Sequence, residues 1–139
     1  MDKDTNKAME TDWCFGCGEN NPIGLKLKMK QENNMCSAYF VARKDLESYG
    51  DRLHGGIIST LLDEVMGDYV FRTAGVPTYT AKLDIRFRSA VRIGERVKAE
   101  GWIESHRGRL YITKGRVLHE DGTIAAEAEG KMMEATPNT

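Results

Sequence analysis

The amino-acid sequence predicts an α+β domain in which a curved antiparallel sheet wraps around one long central helix. Residues 53–74 carry a helical hydrophobic period, whereas the segments before and after them alternate apolar and polar residues as strands do. Short turn sequences join the strand-like segments, and short connections favour antiparallel pairing. The predicted order of elements is therefore β-β-α-β-β-β-β in a single domain.

The N-terminal region combines a polar segment with a cysteine-containing loop. We expect residues 1–12 to be flexible and the domain to span residues 13–135. Cys14 and Cys17 form a C-x-x-C pair, but neither a second pair nor an H-x₃-H follows, as a four-ligand zinc site requires. A thioredoxin-type motif would open a helix after a strand, whereas turn-forming residues surround this pair. We therefore interpret it as a packed loop without a metal.

Two strands are expected before the helix, as a hairpin with one solvated face. The first alternates apolar residues with lysines, and an Asn-Asn turn at residues 33–34 separates it from the second. The apolar residues that carry this alternation are Leu25, Leu27, Met29, Tyr39 and Val41. Charged and turn-forming residues 43–52 then lead into the helix.

The period of residues 53–74 predicts a largely buried helix, because apolar residues recur as pairs every four positions. These residues are Ile57, Ile58, Leu61, Leu62, Val65, Met66, Tyr69 and Val70. Gly75 and Pro77 predict the helix end, since glycine suits a left-handed C-cap and proline cannot continue a helix. The remaining stripe carries small residues and one carboxylate, Asp63.

Asp63 is the candidate functional residue of this helix. A carboxylate on a helix built for a core is costly unless it is hydrogen-bonded, paired or facing a wet cleft, and Asp63 lies too far along to cap the helix. Glu64 points towards the helix edge, and we interpret it as a solvated or ion-paired flank. Gly55 and Gly56 lie at the helix start, where backbone N–H groups lack intrahelical partners, and they predict an oxyanion site.

Four strands are expected after the helix. They cover residues 79–89, 97–105, 110–119 and 123–134, and the first alternates apolar residues with a polar outer face that includes Thr80. Turns are predicted at residues 92–95, 106–108 and 120–122, the last with an Asp-Gly hairpin signal. Neither a second helical period nor an internal repeat interrupts this series.

Composition excludes several classes of function. The 139 residues, 40% hydrophobic and 29% charged, suit one domain with a buried core. A net charge of -1 gives no global attraction to nucleic acid. No apolar run approaches the ~18 residues of a membrane span, and the N-terminus does not resemble a signal peptide. Three cysteines, an odd number, indicate reduced thiols, and the expected location is cytoplasmic.

Three motifs together resemble one known family. His54-Gly55-Gly56 is followed by Asp63 and preceded by Cys-Phe-Gly-Cys-Gly at residues 14–18 and Asn-Pro-Ile-Gly-Leu at residues 21–25. This pattern resembles the hot-dog-fold thioesterase superfamily, in its phenylacetic-acid-degradation-type branch. The resemblance implies a homodimer whose sheets join edge to edge, and often a homotetramer. It also implies active sites at the dimer interface that hydrolyse acyl-CoA thioesters without metal or cofactor, since coenzyme A is part of the substrate.

The resemblance assigns roles to five residues. Asp63 is the catalytic carboxylate, as general base or nucleophile, and the Gly55 backbone N–H polarises the thioester carbonyl. Thr80 matches a Ser/Thr that helps to place the attacking water. Ser48 stands where some relatives carry Asn or Gln, and His54 anchors the helix start. A thiol with a pKa near ~8.5 leaves with little acid help, and no Ser-His-Asp or Gly-x-Ser-x-Gly pattern competes.

The residues expected to contact the substrate fall into two groups, one for the acyl chain and one for the CoA phosphates. The acyl group is expected against Ile57, Leu61, Met66 and the partner chain. The CoA phosphates need basic groups near the cavity mouth, although a solvated strand face explains such residues equally well. With Gly56, the candidate CoA-binding residues are Arg86, Arg88, Arg92, Arg107 and Arg109.

Two other functions are compatible with the same residues. A hot-dog enoyl-CoA hydratase or dehydratase would use His54 as its base, and a non-catalytic acyl-CoA-binding protein would use no base.

Overall fold

A computed structural model describes residues 11–139 of the protein. Within these residues the chain forms six strands, a short 3₁₀ helix at Lys44–Leu46 and one long helix. In chain order the strands and the long helix are β1 (Lys30–Glu32), β2 (Met35–Val41), α1 (Gly55–Ala74), β3 (Thr78–Phe87), β4 (Arg96–Arg107), β5 (Leu110–Leu118) and β6 (Ile124–Glu134). The predicted order of elements is confirmed. The predicted flexible segment, residues 1–12, falls almost entirely outside the described residues.

The six strands form one antiparallel sheet in the order β1-β2-β4-β5-β6-β3. β3 follows the helix and pairs with β6, so that it is an edge strand in the described part of the chain. Each predicted end of β3 to β6 lies within two residues of the observed end. Alternation located these strands well because the two faces of a strand meet different surroundings.

The helix α1 lies directly on β4, where a glycine permits close approach. A Cβ added to Gly101 would lie 2.7 Å from the backbone nitrogen of Met66, closer than real Cβ contacts. Gly115 on β5 pairs with Gly101 and also faces Met66. The buried face of α1 therefore packs in close contact with the sheet. That face comprises Ile58, Leu61, Leu62, Val65, Met66, Tyr69 and Val70.

Both ends of α1 have identifiable caps. It begins at Gly55, two residues later than predicted, because the His54 side chain accepts a hydrogen bond from the Gly56 N–H at 2.8 Å. It ends at Gly75, which has a left-handed φ of 73° and donates its N–H to the Phe71 carbonyl, so the predicted end is confirmed. Within residues 11–139, no helix is long and apolar enough to cross a membrane.

The first predicted strand is much shorter than expected. Leu25 and Leu27 are buried, but their N–H groups donate to the carbonyls of Phe15 and Gly16 in the cysteine loop instead of to a neighbouring strand. Lys26 between them has a left-handed φ of 55°, which interrupts an extended strand. The strand that pairs with β2 therefore covers three residues.

On β2 the exposed side chains include the two apolar residues that carry the predicted alternation. Tyr39 and Val41 are 53% and 51% exposed, whereas Ala38 and Phe40 are buried. The Arg96 guanidinium lies 3.9 Å from the centroid of the Tyr39 ring, in a cation–π contact. The expectation that Tyr39 and Val41 lie on the apolar face of the hairpin is therefore wrong.

Candidate active site

A cavity of about 870 Å³ opens between the cysteine loop, α1 and the start of β3. Its walls carry acidic groups, thiols, hydroxyls and apolar side chains. The lining residues are Thr11, Cys14, Cys17, Leu27, Met29, Gln31, Asp63, Glu64, Gly67, Asp68, Phe71, Arg72, Gly75, Thr78 and Thr80. Two predicted catalytic residues, Asp63 and Thr80, therefore meet at one cavity.

Asp63 and Thr80 are joined by a short hydrogen bond. The Thr80 hydroxyl donates to the carboxylate oxygen Oδ1 of Asp63 at 2.5 Å, in the range of charge-assisted O–H···O⁻ bonds. Among residues 11–139, no donor bonds the second carboxylate oxygen, Oδ2. A carboxylate oriented by one hydroxyl and open to a cavity is able to accept a proton from water.

A β-bulge in β3 turns Thr80 towards the helix. Thr80 pairs with Met132 and Lys82 pairs with Lys131, so that Ala81 is the extra residue of the strand. Strict alternation placed Thr80 on the polar outer face, whereas its hydroxyl reaches Asp63. The prediction for the face of Thr80 is wrong because a bulge shifts the register, and the sequence carries no clear signal for this bulge.

The backbone N–H groups of Gly55 and Gly56 at the helix start differ in their hydrogen bonding. The Gly56 N–H donates to His54 Nδ1, so this amide is already engaged. In the described part of the chain, the Gly55 N–H has no acceptor at hydrogen-bond distance. Gly55 lies eight residues before Asp63, or about 12 Å along the helix axis at ~1.5 Å per residue. A single protomer therefore does not bring the Gly55 amide and the Asp63 carboxylate to the same carbonyl group.

Ser48 stabilises the loop before the helix. Its backbone N–H and its hydroxyl both donate to the Arg52 carbonyl, at 2.8 and 3.3 Å. Ser48 is not among the residues that line the cavity of Asp63. A role for Ser48 at a substrate carbonyl stays a prediction.

The candidate CoA-binding arginines are dispersed over the protein. Arg86 and Arg88 line a second cavity, of about 570 Å³, on strands β3 to β6, and Arg88 is paired with Glu127 at 2.8 Å. Arg109 donates to the Glu134 carbonyl at 2.7 Å. None of the five candidate arginines lines the first cavity. Their contact with coenzyme A stays a prediction.

Glu64 lies beneath the cysteine loop, and the expectation of a solvated or ion-paired flank is wrong. The Cys14 thiol donates to Glu64 Oε1 at 3.0 Å, and no basic side chain of residues 11–139 pairs with this carboxylate. A Cβ on Gly16 would lie 2.2 Å from the carboxylate, so the loop packs tightly on it, as a packed loop was predicted to do. Burial raises the pKa of Glu64, the Cys14 hydrogen bond acts in the opposite direction, and repulsion by Asp63 raises it further.

Two of the three residues expected to contact the acyl group belong to the core. Leu61 and Met66 are 0% exposed, because the apolar face of α1 is turned to the sheet. The expectation that they contact the acyl group is therefore wrong for this protomer. Ile57 is partly buried at the edge of the core, and its contact with an acyl group stays a prediction.

A hydrogen-bonded Ser-His-Glu chain lies elsewhere, and its three residues are too far apart in the sequence to form a local motif. The Ser89 hydroxyl lies 2.6 Å from His119 Nε2, and His119 Nδ1 contacts the Glu95 carboxylate. This is the order of contacts in a catalytic triad. None of the three side chains lines either cavity described above, and their hydrogen bonds join three loops.

Known proteins similar to this chain include members of the thioesterase superfamily. The thioesterase superfamily matches residues 50–126, from the loop before α1 into β6. A solved thioesterase superfamily protein, RHA08564, superposes with a TM-score of 0.79 at 22% identity, over 85% of this chain and 61% of that one. A hypothetical thioesterase of Streptococcus pneumoniae, solved with coenzyme A, superposes with a TM-score of 0.72 at 15% identity, over 78% and 88% of the two chains. These structures share the fold.

A dehydratase is also a sequence relative. The 3-hydroxyacyl-(acyl-carrier-protein) dehydratase FabZ of Campylobacter lari is 35% identical over 79 residues, which are 57% of this chain and 51% of the dehydratase. The chain thus spans about half the length of the curated relatives it matches. The sheet wrapped on α1, the structural likeness and the match over residues 50–126 agree: the chain belongs to the thioesterase superfamily and has its hot-dog fold.

Proposed function

We propose that this protein hydrolyses acyl-CoA thioesters, with Asp63 as the catalytic carboxylate. The observation that carries the proposal is the hydrogen bond from Thr80 to Asp63 at the cavity wall, in a chain of the thioesterase superfamily. The other two carboxylates that line the cavity are engaged. Glu64 is covered by the cysteine loop, and Asp68 is paired with Arg72 at 2.7 Å. Asp63 is therefore the carboxylate left to act on a substrate.

Thioester hydrolysis needs a base for water and a donor for the developing oxyanion. Asp63 takes a proton from water while the water oxygen attacks the carbonyl carbon, and Thr80 holds the carboxylate in orientation. The Gly55 amide stabilises the oxyanion of the tetrahedral intermediate. The C–S bond then breaks, and coenzyme A leaves as a thiolate with little acid help, since thiol pKa values lie near ~8.5. The products are a carboxylic acid and coenzyme A. Direct attack by Asp63 on the carbonyl is the alternative route.

A second protomer is proposed to complete the site. Along one helix Gly55 and Asp63 are about 12 Å apart, whereas a single carbonyl group must approach both within ~3 Å. β3 is an edge strand whose Tyr79 and Phe87 are 43% and 53% exposed, and such an edge is normally covered. A homodimer, alone or within a homotetramer, would bring the helix start of one protomer to Asp63 of the other. Light scattering should give at least twice the protomer mass of 15.6 kDa, and a monomer would contradict this.

The thioesterase of S. pneumoniae solved with coenzyme A supports acyl-CoA as the substrate class. The test is a panel of aryl-CoA and aliphatic acyl-CoA substrates with detection of released thiol. Turnover by the wild type that is lost in Asp63→Asn supports the proposal. Binding of acyl-CoA without thiol release would instead indicate a non-catalytic acyl-CoA-binding protein.

The sequence relationship to the dehydratase favours a second candidate function, with His54 as the base. The geometry at His54 argues against it. Because Nδ1 accepts from the Gly56 N–H, the neutral ring carries its proton on Nε2, and neither nitrogen is then free to take a proton from a substrate. Absorbance of enoyl-CoA separates the two reactions. Hydration of enoyl-CoA that depends on His54 would favour the dehydratase.

A further inference from the structure

A second group of reactive side chains lies in the wall of the first cavity. The thiols of Cys14 and Cys17 and the carboxylate of Glu64 each offer one ligand atom, and these atoms all lie within 4.8 Å of one another. All three residues also line the cavity, so a fourth position next to them is reachable by water. From the sequence alone the C-x-x-C pair is interpreted as a loop without a metal, because Glu64 follows Cys14 by 50 positions and belongs to no ligand motif; the fold brings this third group to the two thiols.

The fold holds the three groups in place before any ligand arrives. The Gly18 N–H donates to the Cys14 carbonyl at 2.8 Å, which closes the turn between the two thiols. A Cβ on Gly18 would lie 2.5 Å from the backbone of the loop, and one on Gly16 would lie 2.2 Å from Glu64. The loop is therefore wound tightly and pressed onto the Glu64 carboxylate, and the thiols have little freedom to move away from it.

The charge of this wall favours a cation. Asp63, Glu64 and Asp68 line the cavity, whereas Arg72 is the one basic residue among residues 11–139 that lines it, and it is already paired with Asp68. A cation would offset this excess of negative and electron-rich groups.

We infer that Cys14, Cys17 and Glu64 bind one borderline-soft divalent cation of the zinc type, with water from the cavity as the fourth ligand. Two sulfurs and one carboxylate oxygen are a donor set that suits zinc. Binding releases the two thiol protons, exchanges no electrons and leaves the carboxylate ionised. Its ligands differ from the proposed catalytic residues Asp63 and Thr80, although all five residues line the same cavity.

The test uses the full chain, purified under reducing conditions and stripped of metal with a chelator. Dialysis against Zn²⁺ should give about one ion per chain by mass spectrometry. Titration with Co²⁺ should give the strong near-ultraviolet absorption of thiolate-to-cobalt charge transfer. The matched control is Cys36→Ser. The Cys36 thiol is bonded to Asp68 at 3.2 Å and lies outside the cluster, so this variant should bind like the wild type.

The ligand variants decide the assignment. Cys14→Ser and Cys17→Ser should each weaken Zn²⁺ binding and reduce the charge-transfer absorption of the Co²⁺ form. The expected loss of affinity is at least about tenfold, because each variant removes one metal ligand. Glu64→Gln should weaken binding similarly while it keeps that absorption, and it decides the question if a cysteine variant does not fold. Binding of much less than one ion per folded chain overturns the inference. So does binding that Glu64→Gln leaves unchanged, or that Cys36→Ser weakens as much as Cys14→Ser.

Discussion

Asp63 and Glu64 are adjacent on α1, yet one carboxylate meets β3 and the other meets the cysteine loop. Asp63 accepts a hydrogen bond from Thr80 and keeps one oxygen towards the cavity. Glu64 is covered by the loop and bonded to a thiol, and burial raises its pKa. Burial beside a weak thiol donor disfavours the ionised form of Glu64. The two carboxylates therefore differ because different elements, β3 and the cysteine loop, pack against them.

Asp63→Asn should have the largest effect of any change that tests this comparison. The amide keeps the size of the side chain but removes the base, so kcat for acyl-CoA hydrolysis should fall by about 10²–10⁴-fold with little change in KM. The rate at which thiol is released from acyl-CoA measures this fall in kcat. Glu64→Gln is the control and should be mild. Loss of hydrolysis in folded Glu64→Gln, with folded Asp63→Asn active, would reverse the assignment of the catalytic carboxylate.

Gly16→Ala should break the packing on the Glu64 side. The new methyl group would overlap the Glu64 side chain, which must move away from Cys14, and overpacking of this kind costs about 1–3 kcal/mol of unfolding free energy. Urea denaturation measures the loss. Gly67→Ala is the matched control, because a Cβ there meets open space in the protomer and should not destabilise it. Equal stability of the two variants would show that the loop does not press on Glu64.

Thr80→Ala should reduce hydrolysis less than Asp63→Asn does. It removes the hydrogen bond that orients the carboxylate but keeps the base, and one bond to a charged group corresponds to about a tenfold change in rate or somewhat more. Steady-state kinetics should show the loss in kcat. A rate equal to that of the wild type would mean that Thr80 does not orient the catalytic group.

The dependence of stability on pH should show the smallest effect. Because the pKa of Glu64 is higher in the folded state than its ordinary value of 4.5, the folded protein binds more protons in the interval between the two values. Stability contributed by this group is present below about pH 4.5 and is lost as the pH rises through the folded pKa. With a chelator present, the wild type should therefore lose stability relative to Glu64→Gln as the pH rises. Parallel urea-denaturation profiles of the two proteins across pH would contradict a raised pKa.

Local patterns in the sequence predicted most of the fold. The helical period, the Gly75 cap and the four strands after the helix depend on residues close together in the chain, which is why their ends were located within about two residues. The first hairpin failed for the opposite reason. Leu25 and Leu27 bond to the cysteine loop, and no local pattern distinguishes that partner from a neighbouring strand.

The α+β class, the order of elements, the capped helix and Asp63 as its unusual carboxylate all follow from the amino-acid sequence. The groups that meet this helix follow from the folded chain: the bulge at Ala81 turns Thr80 to Asp63, and the cysteine loop covers Glu64 with Cys14. These contacts join residues 17 and 50 positions apart, and they follow from packing between elements rather than from the preference of any one segment. For this reason adjacent carboxylates that look alike in the sequence have different surroundings in the folded protein.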